Sequence, residues 1–217
     1  MLYKNTVNAL FKKRLNRFTA LAEINGREET VHVKNTGRMK ELLFEGARVI
    51  LSVSDNPHRK TAYDLVGVYK EGLGLINIDS QAPNKVMYEW LKSKDYDLIK
   101  PEYRYGNSRF DFYLEKGNDK YFIEVKGCTL EIDGIGYFPD APTERGVKHL
   151  YELVKASEQG YRSAVAFVIQ MPQITEVRAN IATHKEFGDA LDHARSKGVE
   201  VMMLQCEITD NDMKIIS

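Results

Sequence analysis

An aspartate inside one apolar run, and a glutamate two residues before a lysine in a second, are the residues of this chain best placed to do chemistry. In Ser108-Arg109-Phe110-Asp111-Phe112-Tyr113-Leu114, strand alternation puts Phe110, Phe112 and Leu114 on one face and Arg109, Asp111 and Tyr113 on the other. Mid-strand is an unfavourable place for aspartate. In Tyr121-Phe122-Ile123-Glu124-Val125-Lys126-Gly127, Glu124 and Lys126 share a face because they are two apart, and Val125 points the other way. The Gly117-Asn118 turn can lay the two runs side by side. Two carboxylates then converge beside an ammonium group, which is tolerable only with a proton or a cation between them. Mg2+, or Mn2+ in its place, suits such a site, because it takes hard oxygen ligands, keeps several waters and accepts a substrate phosphate. Asp111 and Glu124 are the candidate metal ligands. Lys126 would orient or deprotonate the attacking water, which makes Asp111, Glu124 and Lys126 a candidate catalytic set for phosphodiester hydrolysis. Glu and Lys two apart also occur on ordinary solvent-facing strands, and so short a motif is weakly specific by itself.

Four arginines are candidate phosphate contacts. Arg145 follows Tyr137-Phe138-Pro139-Asp140-Ala141-Pro142-Thr143-Glu144, where the prolines set up a helix start, Thr143 or Asp140 can cap it, and Glu144 suits the positive end of the dipole. A cation in that first turn opposes the dipole, and a phosphate there would satisfy both Arg145 and the open backbone amides. Arg38 ends Asn35-Thr36-Gly37-Arg38, a tight bend with exposed amides that could contact phosphate, although a plain helix cap is the more frequent explanation. Arg109 shares its strand face with Asp111. Arg17 closes a basic start, Lys4, Lys12, Lys13, Arg14 and Arg17 with no acid among the first 20 residues, which is either a phosphate-attracting patch or a solvated terminus. Glu102 is either a further carboxylate or a loop cap, the loop being the better reading. The five histidines show no metal-ligand spacing, the two cysteines form no CxxC pair, and no P-loop, GxGxxG or GxSxG occurs.

These residues need two kinds of scaffold. From Arg14 to Ile24 the chain leans to a strand, Asn25-Gly26 is a hairpin signal, and strand-like runs follow at 29–34, 48–54, 63–69 and 73–79, with a short amphipathic segment at 39–43. Five strands and one small helix suit a barrel of the oligonucleotide-binding (OB) type. Asp79-Ser80-Gln81-Ala82-Pro83 breaks the pattern, so the domains are expected at 1–80 and 81–217. The second half reads as a helix at 82–92, strands at 98–103, 108–114 and 120–126, a β-excursion around Gly134, a helix at 143–159, a continuous apolar strand at 163–170 that belongs in the centre of a mixed sheet, a helix at 185–196 and a strand at 199–204.

Composition agrees with a soluble globular chain. Hydrophobic residues make up 43% and charged residues 29%, and no run approaches the length of a membrane span or signal segment. A cytoplasmic location without membrane partners is expected. Lys+Arg and Asp+Glu are equal at 31 each, but residues 1–80 hold 13 against 9 and the remainder 18 against 22, so a basic front half precedes an acidic back half.

Four segments give the sequence a resemblance. His32-Val33-Lys34-Asn35-Thr36-Gly37-Arg38-Met39, Tyr105-Gly106-Asn107-Ser108-Arg109-Phe110-Asp111-Phe112, Phe122-Ile123-Glu124-Val125-Lys126 and the long run from Gly136 to Leu150 are similar to those of the sugar fermentation stimulation protein A family. The resemblance covers nearly the whole chain. It implies an N-terminal OB-type β-barrel followed by a restriction-endonuclease-like, PD-(D/E)xK, mixed-sheet α/β domain. In that pattern Asp111 matches the first carboxylate, Glu124 the second and Lys126 the lysine. Phe110 stands where the superfamily pattern names proline, and Lys34 where relatives commonly have proline. The resemblance further implies DNA as partner, with RNA and a homodimer left open, and one of two activities: a Mg2+-dependent (endo)nuclease, or a non-catalytic, largely non-specific DNA-binding regulator of sugar metabolism genes.

Overall fold

Thr6–Arg14 (β1), Thr19–Ile24 (β2), Arg27–Val33 (β3), Arg48–Val53 (β4), Tyr63–Lys70 (β5) and Gly74–Asn77 (β6) form the N-terminal sheet of the computed structural model, which describes residues 1–37, 39–106 and 108–216. β1 pairs antiparallel with β2 and β4, β2 with β3, and β4 with β5, and a short parallel pairing of β3 with β5 closes the ring. Closure leaves these five strands no open edge, and β6 adds to β5 as a hairpin. Asn25 and Gly26 turn between β2 and β3 with φ of 50° and 80°, the left-handed pair that a two-residue hairpin requires.

The barrel is therefore the expected one, with two local corrections. The expected strands start at Arg14 and number five only with the run at 73–79, whereas the first barrel strand is Thr6–Arg14. Its inward positions Ala9 and Phe11 are buried, and its lysines lie on the outer face. The amphipathic segment at 39–43 is one turn, in which Leu42 and Leu43 both donate to the Met39 carbonyl, and it buries Met39, Leu42 and Leu43.

The second domain is built on a six-stranded sheet of Leu98–Tyr105 (β7), Ser108–Lys116 (β8), Asp119–Cys128 (β9), Arg162–Ile169 (β12), Glu200–Ile208 (β14) and Met213–Ile215 (β15), ordered β15-β14-β12-β9-β8-β7. β12 is central and parallel to both neighbours, and it is buried over seven of its eight residues, as a strand covered on both faces must be. Ala82–Lys92 (α1) covers one face, and Glu144–Glu158 (α2) with Lys185–Ser196 (α3) covers the other. Leu130–Ile132 (β10), Ile135–Phe138 (β11) and Val177–Ala179 (β13) make a small separate sheet. None of the described helices is long and apolar enough to cross a membrane.

The domains share one hydrophobic cluster, which runs from the barrel interior to the side of the sheet under α2 and α3. A polar seam locks them further. Gln170 Nε2 donates to the Asn77 and Asp79 carbonyls at 3.0 and 3.1 Å, and Lys34 Nζ lies 2.9 Å from Asp79 Oδ2.

Candidate active site

The β8–β9 ladder runs from Lys116↔Asp119 to Phe112↔Ile123 and stops there. β9 continues beside β12 as far as Cys128↔Ile169, so β8 diverges exactly where Asp111 follows in the ladder. In place of a strand partner, the Val125 amide donates to Asp111 Oδ2 at 2.7 Å. Side-chain alternation lapses at the same point. Phe112 and Leu114 pack in the cluster under α1, whereas Phe110 packs with Phe122, ring centroids 4.8 Å apart, on the side of α2. The expectation that Phe110 and Phe112 share a face fails for this reason.

The two carboxylates are anchored from opposite faces of the sheet. Asn84, in the first turn of α1, donates from Nδ2 to Asp111 Oδ1 at 2.7 Å. Glu124 is 2% exposed, and its Oε1 accepts from Lys126 Nζ at 2.6 Å and contacts Nδ1 of His149 on α2. Glu124 Oε2 is buried and has no hydrogen-bond partner among the described residues. A buried carboxylate oxygen left without a hydrogen-bond partner is costly, by roughly 1–3 kcal/mol or more, and Glu124 lines a cleft through which a ligand could reach it.

The pair divides its charge unevenly. Burial and the charge of Glu124 raise the Asp111 carboxyl above its ordinary range, against the opposing Val125 amide, Asn84 and Lys126. Burial pushes Glu124 up as well, but His149 and Lys126 outweigh it and hold Glu124 below its ordinary value. Opposite shifts in neighbouring carboxyls mark a site where a cation relieves repulsion. The residues fit a divalent cation on these grounds. Among the described residues no cluster of three or more His, Cys, Asp or Glu is placed to hold a metal ion, so the protein would contribute two carboxylates and leave the other positions to water and phosphate.

Three clefts meet here. One of about 390 Å³ is lined by Ser80, Pro83, Asn84, Asp111, Glu124 and Arg145 among others. A second of about 240 Å³ shares Asp111 and Arg145 and adds Glu102, Arg109, Lys148 and His149. A third of about 390 Å³ lies between the domains, sharing Ser80, Pro83 and Gly127 with the first and reaching Arg17, the Asn35–Gly37 loop and the segment Tyr137–Thr143. Gly127 is required where the clefts join, since a Cβ there would sit 2.7 Å from Pro83 Cγ and against the Gln170 amide.

Most of the sequence-derived residues converge on this region. Asp111, Glu124 and Lys126 come together, although Lys126 is engaged by Glu124 and lines none of the three clefts. Arg145 is exposed in the first turn of α2, capped by Thr143 Oγ1 accepting from the Gly146 amide at 3.1 Å, and has no ion pair among the described residues. Arg109 lines the smaller cleft and pairs with Glu102 at 2.9 Å. Glu102 lies within β7 at a φ of 56°, opposite the gap that Asp111 leaves in the β7–β8 ladder, rather than in a loop. Arg17 lines the interdomain cleft, and Arg38 lies outside the described residues. The basic start does not form one patch: Lys4 pairs with Asp55, Lys12 with Glu23, and Arg14 donates to the Arg17, Asn35 and Gly37 carbonyls.

Asn84, Lys148 and His149 escaped the sequence reading. Arg145, Lys148 and His149 stand at i, i+3 and i+4 on one helix face, a spacing that points all three to the same place once Arg145 is suspected.

Comparison with known proteins adds to this geometry. A family model described as the SfsA N-terminal OB domain matches residues 13–78, and one described as the sugar fermentation stimulation protein RE domain matches residues 81–212. Sugar fermentation stimulation protein homologs of Clostridium beijerinckii and Desulfitobacterium hafniense strain Y51 are 52% and 53% identical, over 99% of this chain and 96% and 95% of their own. The solved structure of Pyrococcus furiosus SfsA in complex with Ca2+ superposes with a TM-score of 0.86 at 27% identity, covering 99% of this chain and 95% of that one.

Proposed function

This chain belongs to the sugar fermentation stimulation protein family, and from that premise we propose that it binds DNA and hydrolyses its phosphodiester bonds at a Mg2+- or Mn2+-dependent site built on Asp111 and Glu124. The observation that carries the reading is the buried Glu124 Oε2 without a hydrogen-bond partner among the described residues, beside a second carboxylate whose proton affinity burial and that glutamate raise. The calcium complex of the Pyrococcus furiosus relative supports it, because Ca2+ and Mg2+ both take hard oxygen ligands.

Asp111 and Glu124 would hold the cation, with Asn84 and His149 fixing the two carboxylates from α1 and α2. When bound, the cation neutralises phosphate charge and lowers the proton affinity of the attacking water. Arg145 orients the phosphate from the α2 N-terminus, where helix amides add to its attraction. As water attacks phosphorus the bond to the leaving oxygen would break, the attacking water giving its proton to bulk water and the leaving oxygen taking one from it, while Lys126 would offset the developing charge through Glu124, which it holds at 2.6 Å.

One observation favours a second reading, binding without hydrolysis by a regulator of sugar metabolism genes: Lys126 is tied to Glu124 and lines none of the clefts. Incubating the pure protein with single-stranded, duplex and branched DNA and with RNA, in Mg2+ or Mn2+, separates the two. Cleavage lost in Glu124→Gln is the expected result. Absence of cleavage on every substrate, with salt-sensitive DNA binding that survives Glu124→Gln, would establish the second reading instead.

A further inference from the structure

The interdomain cleft has walls from both domains. On the barrel side stands the Asn35–Gly37 loop, on the other the Tyr137–Thr143 segment, and a Cβ on Gly37 would lie 2.8 Å from Asp140 Oδ2. Because this cleft shares Ser80, Pro83 and Gly127 with the carboxylate cleft, and that one shares Asp111 and Arg145 with the cleft of Arg109 and Lys148, the three form one continuous groove. Volumes of about 390, 390 and 240 Å³ suit small-molecule-sized units, one after another. The interdomain cleft has its walls from the barrel on one side and the second domain on the other, and unpaired nucleotides are the narrower occupant for such a passage.

Arg17, which lines the barrel end of the groove, adjoins an exposed aromatic ring. Phe18 is 50% exposed, large for an aromatic in a well-packed barrel, and the Arg17 guanidinium sits 5.4 Å over its ring. The loop that carries them is fixed. Asn16 Oδ1 accepts from the Phe18 and Thr19 amides at 2.8 and 3.0 Å, and the Val33 amide donates to the Phe18 carbonyl at 2.8 Å. Arg14 binds the carbonyls of Arg17, Asn35 and Gly37 together, so this loop and the cleft wall move as one. An aromatic face held at the surface beside a cation is how OB barrels engage unpaired bases.

Charge follows the same line. Arg17 and Arg145 have no ion pair among the described residues, and the exposed Arg109–Glu102 pair is weak enough for a phosphate to displace. We propose that the nucleic acid this protein takes is a single strand, one base stacked on Phe18 with its phosphate on Arg17, threaded through the interdomain cleft to Asp111 and Glu124, the following phosphates held by Arg145 and Arg109. The path rests on the reading of the carboxylates as the hydrolytic site, and it can fail separately from that reading.

The test uses the full chain with fluorescent oligonucleotides of about 16 nucleotides: a single strand, a blunt duplex, and a duplex with a single-stranded tail. Binding is followed by anisotropy in Ca2+ and cleavage in Mg2+, for wild type, Phe18→Ala, Phe18→Trp and Arg17→Ala. The single strand and tailed duplex should bind at least about 10-fold tighter than the blunt duplex. Phe18→Ala should weaken single-strand binding about 10-fold with an unchanged melting temperature, and Phe18→Trp should restore it. Equal affinity for the blunt duplex, or full affinity in Phe18→Ala, would overturn the path even if cleavage persists. Single-strand preference that depends on Phe18, with no cleavage in any metal, would uphold the path and remove the hydrolytic reading.

Discussion

Asp79 at the seam between the domains and Glu124 at the end of the β8–β9 ladder are both buried, 0% and 2% exposed, and they are supplied with partners in opposite ways. Asp79 Oδ1 accepts from the Gln81 amide at 2.9 Å, and its Oδ2 from Tyr3 Oη at 3.2 Å and Lys34 Nζ at 2.9 Å. Asn77 and Gln170 complete that network. At Glu124 both donors converge on Oε1, and Oε2 has none among the described residues. Burial alone therefore does not single out a functional carboxylate here. A saturated network holds a structure together, whereas a half-saturated one marks where something else binds.

The largest effect should come from breaking the saturated side. Asp79→Ala leaves Lys34, Tyr3 and the Gln81 amide without their acceptor, and removing one partner of a buried pair costs about 3–5 kcal/mol. Urea unfolding should show that loss, while cleavage per folded molecule stays at the wild-type rate. A drop in rate without a drop in stability would place Asp79 in the site and break the comparison.

Glu124→Gln should do the reverse. Cleavage falls about 10²–10³-fold, Mg2+ no longer raises the melting temperature, and the fold persists. Stability lost on the scale of Asp79→Ala would mean that Glu124 is structural too. Gly127→Ala tests the junction between the two networks. Its methyl must displace Pro83, next to the Asn84 that holds Asp111, and Gln170, which binds the barrel. A stability loss of about 1–3 kcal/mol together with a lowered rate is expected, and loss of only one would show the two networks to be independent.

The sequence made one side of this comparison easier to read than the other. Strand alternation brought Glu124 and Lys126 together because residues two apart share a face wherever the ladder is unbroken, as β9 is beside β12. The break at 79–83 and the stop at Gly198 placed α1 and α3 to the residue, and the unbroken run at 163–170 revealed the central strand. Alternation failed at Phe110 because it presumes an unbroken ladder, and the break is what creates the site. Asn84 and His149 were hidden since their roles depend on how two helices lie across the sheet, which no local pattern encodes. The Asp79 network joins residues 3, 34, 77, 79 and 170, each an ordinary polar residue in its own segment. β13 and β15, three residues each, are too short for periodicity: β13 exists because the distant β11 offers it a partner, and β15 because it turns back on β14.

The smallest effect is the one whose sign separates the two regions. Burial and Glu124 raise the Asp111 carboxyl, so the folded chain holds that proton more tightly than the unfolded one. Such a group contributes stability below its unfolded value and loses that contribution as pH rises through its folded value. At neutral pH the ionised Asp111 is therefore a local liability. Asp111→Asn keeps an acceptor for the Val125 amide and a partner for Asn84 while removing the charge, and should raise the melting temperature by about 2 °C at neutral pH, a gain that shrinks as pH is lowered through the carboxylate range. Millimolar Mg2+ should bring the wild type up to the variant and leave the variant unmoved, because the cation then does what the substitution did. Asp79→Asn, in a network that already has its cation in Lys34, should lower the melting temperature with or without Mg2+. If both changes lower it equally, the unpartnered oxygen of Glu124 no longer distinguishes a binding site from a structural one.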